Sequence, residues 1–202
     1  MEATKKQESL TEKYKSLFVR TKNLIVSPKQ EWKAIHNETS DINIILSNYV
    51  LPYMAVLSLI TFVSYIGSHQ GYPFETALKR ALSQFASFFF GLYISYFIVL
   101  KIIPKFTVRT YHKNLKLLAF KIAAYNSIIL YLIVIATALI PQIYFLQIIG
   151  IYTAYLVWIA THGIGKFESH DLRVVFTVIV SLLLMFVPYF ISVIFIETVA
   201  LY

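Results

Sequence analysis

The chain has 202 residues, of which 58% are hydrophobic and only 14% are charged. Roughly a quarter of the residues in soluble domains are charged, so this composition excludes an ordinary soluble protein and favours a membrane protein. The net charge of +8 does not indicate nucleic-acid binding, because the lysine and arginine residues lie in the N-terminal tail and beside apolar runs. With no cysteine, the chain can form neither a disulfide bond nor a thiolate metal site.

The segment ahead of the first apolar run, residues 1–38, is predicted to be an amphipathic cytoplasmic tail, and residues 39–202 a five-helix transmembrane domain. Apolar residues and one threonine in the tail follow helical spacing: Leu10, Tyr14, Leu17, Phe18, Thr21, Leu24 and Ile25. Such a basic amphipathic helix can lie on an anionic leaflet or dock under the bundle. A second short helix should begin at Pro28 after a serine N-cap. On this helix Pro28, Trp32 and Ile35 are predicted to form an interfacial anchor.

Five apolar runs are each long enough to cross the hydrocarbon core of a bilayer, which takes about 20 helical residues. The runs cover residues 42–66, 77–103, 115–140, 142–163 and 173–197. They predict an all-α fold, a polytopic membrane bundle of five transmembrane helices, with a kink in the first helix at Pro52. Small residues recur at every fourth position of the second run, at Ser83, Ser87, Gly91 and Ser95. This stripe predicts close helix packing, with the second and third spans near the centre of the bundle.

Lysine and arginine residues are distributed unequally between the two predicted sides of the membrane. Sixteen lie on the side of the tail, and only Lys79 and Arg80 lie on the other. This asymmetry predicts an inner-membrane protein with its N-terminus in the cytoplasm and its C-terminus outside. Lys79 and Arg80 either snorkel to the outer interface or belong to a segment in the membrane plane. The connection between the second and third spans is predicted to be a basic cytoplasmic loop. Its candidate contacts for anionic lipid headgroups are Lys101, Lys105, Arg109 and Lys113.

Charged residues are absent from the middle of every predicted span, where each would cost about 2.5 to 3.5 kcal/mol. Candidate family-motif or polar-cavity positions occur instead: Tyr125, Asn126, Ser127, Gly150, Tyr152 and Tyr155. Hydrogen bonds between helices are the simplest role for the polar side chains in this set. The sequence contains no nucleophile elbow, zinc-protease motif or glycine-rich phosphate loop. We therefore predict no catalytic residue, metal or cofactor.

Three stretches resemble the bacterial branch of the Yip family, the Ypt/Rab-interacting membrane proteins with five spans. They are LIVSPKQEWKAI, KIAAYNSIILYLIVIATALIP and IIGIYTAYLVWIATHGIGKF. The third is similar to the family pattern Gly-x-Tyr-x-x-Tyr-Leu, here with Gly150, Tyr152 and Tyr155. Asn126 and Ser127 depart from the Thr-Pro that the family often has. The resemblance implies a five-span fold with a cytoplasmic N-terminus and, for eukaryotic relatives, roles in vesicle trafficking through small GTPases. The acidic trafficking motif of those relatives is not apparent in the N-terminal region.

The features together predict a non-enzymatic integral membrane protein that acts as a scaffold or recruits partners. The expected partners are anionic membrane lipids, with other membrane proteins or a second copy of the chain as further candidates, and no nucleic acid. The alternative is a transporter of a small solute, ion or lipid that uses a polar cavity between the third and fourth spans.

Overall fold

A computed structural model of the chain describes residues 10–68, 74–111 and 113–195. The two N-terminal helices are α1, Leu10–Val26, and α2, Pro28–Asn37. Five longer helices follow: α3 Ile42–Ser68, α4 Phe74–Phe106, α5 Leu115–Leu139, α6 Pro141–Thr161 and α7 His170–Phe195. Each of the five is long and apolar enough to cross a membrane. The predicted all-α bundle of five spans is confirmed, while the first nine residues of the predicted tail and the last two of the predicted fifth span lie outside the described residues.

Three of the membrane helices are locally irregular. In α3 a π-helical turn at Leu46–Val50 ends two residues before Pro52, the position of the predicted kink, where the missing N–H interrupts the hydrogen-bond ladder. In α5 the regular helix is interrupted at Ser127. The first half of α6, Pro141–Ile151, is a 3₁₀ helix.

Helix α4 packs closely against α7 along the predicted stripe of small residues. Ser83, Ser87 and Ser95 are buried, and so is Gly91. A Cβ added at Gly91 would lie only 2.7 Å from Cγ of Pro188 in α7. The most apolar stretches of α5 and α4 are 50% and 44% buried, against 22% in α3 and α7. This confirms that the second and third spans are central.

Two connections between membrane helices each contain a short strand, and the two strands pair at one end of the bundle. Strand β1, Thr107–Thr110, pairs antiparallel with β2, Gly165–Phe167. We expected a basic loop at β1, which was wrong for these residues, because the β-branched side chains of this segment favour a strand. A Cβ at Gly165 would lie 2.2 Å from the carbonyl oxygen of Arg109, so glycine permits the two backbones to approach. The end of the bundle that carries α1, α2 and both strands is called the basic end below.

Lys79 and Arg80 lie in the first two turns of α4, which is one continuous helix from Phe74. The alternative of a separate segment in the membrane plane is therefore wrong. Nζ of Lys79 lies 2.9 Å from the carboxylate of Glu75. The guanidinium of Arg80 lies 4.8 Å from the ring centre of Tyr65 in α3, at the end opposite to the basic end.

Candidate functional site

Helices α1 and α2 are docked onto the bundle at the basic end and share its core. Leu24 in α1 and Ile35 in α2 are both 0% exposed and belong to one hydrophobic cluster with the membrane helices. Of the predicted amphipathic stripe, Thr21 and Leu24 are buried, whereas Tyr14 and Phe18 are exposed. The stripe that faces protein is therefore narrower than the sequence indicates, and Tyr14 and Phe18 lie on an edge of the helix that is mostly exposed.

Trp32 is buried in protein, with 1% of its surface exposed. Its ring meets the ring of Tyr125 edge-on at 6.2 Å and lies 5.3 Å from the ring of His36. Pro28 and Ile35 are buried as well. An interfacial lipid anchor needs exposed surface, so the prediction that these three residues contact the lipid boundary was wrong. They hold α2 to the bundle instead.

A polar network centred on Arg20 joins α1 to α2 and to α5. The guanidinium donates to a carboxylate oxygen of Glu38 at 2.6 Å and to the hydroxyl of Tyr125 at 2.7 Å. Its Nε lies 3.4 Å from the carboxylate of Glu31, which also accepts a hydrogen bond from the side chain of Asn23 at 2.9 Å. One arginine is thus shared by two carboxylates and one phenol.

The charge on Arg20 is stabilised by these neighbours. Burial by itself would lower the pKa of the guanidinium, but the groups of Tyr125 and Glu38 raise it above its ordinary value. Arg20 therefore remains protonated throughout the neutral range, and the network holds its positive charge.

Lys121 is a second buried cation in the same region. It is one of the sixteen basic residues that the charge asymmetry assigns to the side of the tail, but it lies inside α5 and is 3% exposed. Its ammonium donates to the carbonyl oxygens of Ile35 and Glu38 at 2.6 and 2.7 Å. The sequence signal for this role was a lone lysine within an apolar run, which requires polar partners at that depth.

Further hydrogen bonds attach α1 to two more membrane helices, α3 and α6. The Thr21 hydroxyl donates to Leu17 O in its own helix, so the Tyr53 hydroxyl, at 2.5 Å, is the donor to Thr21. Tyr152 in α6 donates to the carbonyl oxygen of Ile25 at 2.8 Å. Tyr53 lies eleven residues after the start of α3, about 16 Å along the helix. Polar groups of the tail thus lie alongside the membrane helices, although no charged residue falls in the middle of a predicted span.

The polar positions around residue 126 do not form one cluster. Tyr125 belongs to the Arg20 network, but Asn126 is fully buried and donates from Nδ2 to Ile122 O in its own helix at 2.8 Å. Oδ1 of Asn126 has no partner among the described residues. Ser127 donates to Ala123 O, again within the helix.

The three family-motif residues of α6 also have separate contacts. Gly150 is buried, and a Cβ there would lie 3.3 Å from Met185 in α7. Tyr152 contacts α1 as described, and its ring lies 5.3 Å from the ring of Tyr155, which is 42% exposed. Gly150 therefore serves packing, while the two tyrosines face the side of the bundle that carries α1.

A cavity of about 340 Å³ adjoins the Arg20 network. Its walls include Arg20, Glu31 and Glu38 together with Tyr49, which comes from the π-helical turn of α3. Turns of this kind are frequent at functional sites. Because the charged groups here are already paired with one another, the arrangement serves to lock α1 and α2 in place.

The candidate lipid contacts are all at the basic end and all exposed: Lys101 and Lys105 in α4, Arg109 in β1, and Lys113 in the loop before α5. They do not take part in the Arg20 network.

Comparison with known proteins identifies the family. The profile of the Yip1 domain matches residues 22–191. This range includes α2, the whole of the first four membrane helices and α7 up to residue 191. No curated protein and no solved structure matches the chain. Because the matched region is most of the chain, this multi-pass membrane protein belongs to the Yip1 domain family.

Proposed function

We propose that the protein is a non-enzymatic membrane scaffold that recruits partners at the cytoplasmic leaflet of the inner membrane. The observation that carries the proposal is the outer face of α1, a helix held on the bundle by the Arg20 network. That face exposes large apolar side chains at 60% for Tyr14 and 69% for both Phe18 and Val26. Lys15 and Lys22 are exposed on the same helix. An aromatic and basic face on a fixed helix suits contact with a lipid surface or with a partner protein.

The proposed placement has the basic end in the cytoplasm and the C-terminus outside. It is supported by the excess of lysine and arginine at the basic end, where Lys101, Lys105, Arg109 and Lys113 would meet anionic headgroups. An alkaline phosphatase fused to the C-terminus should be active and a green fluorescent protein fused there should not. The reverse pattern would overturn the orientation. We also propose membership of the bacterial branch of the family, since the acidic motif of eukaryotic relatives is not apparent.

Site-specific crosslinking tests the recruiting face. A photoreactive phenylalanine analogue at position 18 should form a discrete adduct in intact cells, and the same analogue at Phe145, which is 58% exposed near the opposite end, should not form that adduct. Replacing the exposed Tyr14 and Val26 with serine should reduce the adduct at position 18 without lowering the melting temperature. Equal adducts from positions 18 and 145 would contradict the proposal. Deletion of residues 1–38 is not a suitable test, because it would expose the core that α1 and α2 cover.

A transporter is the second candidate. A cavity of about 490 Å³ lies between α4, α5, α6 and α7, with Gln84, Thr137 and Gln147 among its lining residues. Asn126, the polar group that we expected in such a cavity, does not line it. Solute flux or lipid scrambling in reconstituted liposomes that is abolished by Gln147→Leu would favour this function over the scaffold.

A further inference from the structure

We propose that a second cavity at the basic end, between α2 and the last turn of α6, binds the phosphate group of an anionic lipid headgroup. The cavity has a volume of about 470 Å³. Its lining includes Lys29, Lys33, His36, His162, Trp32 and Gly163. That the phosphate belongs to a lipid rests on the proposed function, which places this end at a membrane surface. That the cavity binds a phosphate group at all does not depend on the proposed function.

Helix α2 separates its negative charges from its positive charges. Glu31 is directed to the first cavity, where Arg20 and Asn23 hold its carboxylate. Lys29 and Lys33 are one helical turn apart, so they project from one side of α2, and both line the second cavity. Within the described part of the chain, neither lysine forms an ion pair and no carboxylate lines this cavity. The cavity therefore carries an uncompensated positive charge that an anion would neutralise.

Trp32 contributes an apolar wall to the cavity. Its side chain is 1% exposed and its Nε1 is fully buried, so the indole packs behind the cavity and does not donate to a ligand. The hydrogen bonds to a phosphate oxygen would come from the ammonium groups of Lys29 and Lys33.

The wall formed by His36 depends on glycine at position 163. Nε2 of His36 lies 3.1 Å from the carbonyl oxygen of Ala160, and since a carbonyl can only accept, Nε2 carries the hydrogen. A Cβ at position 163 would lie 2.2 Å from the imidazole of His36. Gly163 thus allows the imidazole to lie against the end of α6, where it closes one side of the cavity.

The position of the cavity along the bundle favours a lipid over a soluble phosphate compound. Ile159 and His162, at the end of α6, line it together with Trp32. Apolar and aromatic surface therefore lies beside exposed lysines at the end of a membrane helix, the depth at which headgroups meet the acyl chains.

The test measures ligand binding to the purified full-length protein in detergent, with native mass spectrometry as the readout. The probes are dioctanoyl phosphatidic acid, dioctanoyl phosphatidylcholine and inorganic phosphate. We expect phosphatidic acid to bind most tightly and to lose about tenfold or more in affinity in the double variant Lys29→Gln/Lys33→Gln. The matched control Lys116→Gln/Lys166→Gln removes the same charge from exposed positions at the basic end that do not line the cavity, and it should bind as wild type does.

A second variant tests the wall formed by His36. Gly163→Ala would place a Cβ against the imidazole of His36, so this wall must shift, and phosphatidic acid binding should weaken severalfold. Equal binding by wild type and the Lys29/Lys33 variant, or equal losses in both lysine variants, would overturn the proposal. If inorganic phosphate bound as tightly as phosphatidic acid, the inference that the ligand is a lipid would be wrong. The assay uses detergent-solubilised protein, so its outcome is independent of membrane orientation and of partner recruitment.

Discussion

Lys121 caps α2 from outside that helix, because its Nζ donates to the carbonyl oxygen of Ile35 at 2.6 Å. Helix α2 ends at Asn37, so Ile35 lies in the last turn, where carbonyl groups lack partners in their own helix. The ammonium also lies at the negative end of the α2 dipole. One buried cation in a membrane helix thus fixes where the N-terminal pair of helices ends and the first span begins.

The variant Lys121→Met should lower the free energy of unfolding by about 1 to 3 kcal/mol, because it keeps the length of the side chain and removes the donor to the buried carbonyl of Ile35 and the half-buried carbonyl of Glu38. Thermal unfolding of the purified protein in detergent measures the effect. Lys116→Met is the matched control, since Lys116 is exposed in the first turn of α5. Equal melting temperatures for the two variants would contradict the capping role.

A double-mutant cycle on Arg20 and Glu38 should give a coupling free energy of about 0.5 to 3 kcal/mol, because each single variant leaves the other group unpaired. Arg20→Gln and Glu38→Gln are the single variants. The pKa of Arg20 is raised in the folded state. A raised pKa gives stability that is present below the unfolded-state pKa and is lost only above it, so the arginine side of the pair should contribute equally at pH 6 and pH 9. Additive single effects would show that the pair does not hold α1 to α2.

The fold was predictable because its signals are local. Length and apolarity give the five spans, and the spacing of Ser83, Ser87, Gly91 and Ser95 gives the contact face of α4. Strand β1 was missed although its β-branched residues favour a strand, because a strand also needs a partner, and β2 lies more than fifty residues away in the sequence.

The site was only partly predictable because it depends on contacts between distant segments. The sequence places Trp32 and Arg20 in a basic tail. Only the contacts with Tyr125, about a hundred residues later, make Trp32 part of the core and Arg20 the centre of a half-buried polar network. The number and order of charged residues in the sequence do not indicate that one arginine would pair with both Glu31 and Glu38. Lys121 was missed as well, although its position in an apolar run indicates that it needs polar partners at that depth.

Cysteine labelling should distinguish the two sides of α1. The chain has no native cysteine, so each introduced thiol is the only one present. Lys22→Cys should react rapidly with a maleimide in detergent, because position 22 is exposed, and Leu24→Cys should be protected, because Leu24 is 0% exposed. Comparable rates at both positions in folded protein would show that α1 is not docked. Denaturation should make the two rates equal.

Substitution of Gly91 should test the contact between α4 and α7. In Gly91→Ala the new Cβ would lie 2.7 to 2.9 Å from three atoms of Pro188, including its backbone Cα, so the two helices must separate. Overpacking of this kind costs about 1 to 3 kcal/mol.

Gly67→Ala is the matched control for Gly91→Ala, because Gly67 is also helical and has no atom within 4 Å of the added Cβ. Alanine at an open helical site restricts the unfolded chain and favours the helix, so this variant should gain about 0.5 to 1 kcal/mol. Thermal unfolding should therefore shift in opposite directions for the two variants. A melting temperature for Gly91→Ala at or above that of wild type would mean that α4 and α7 are not in contact at Pro188.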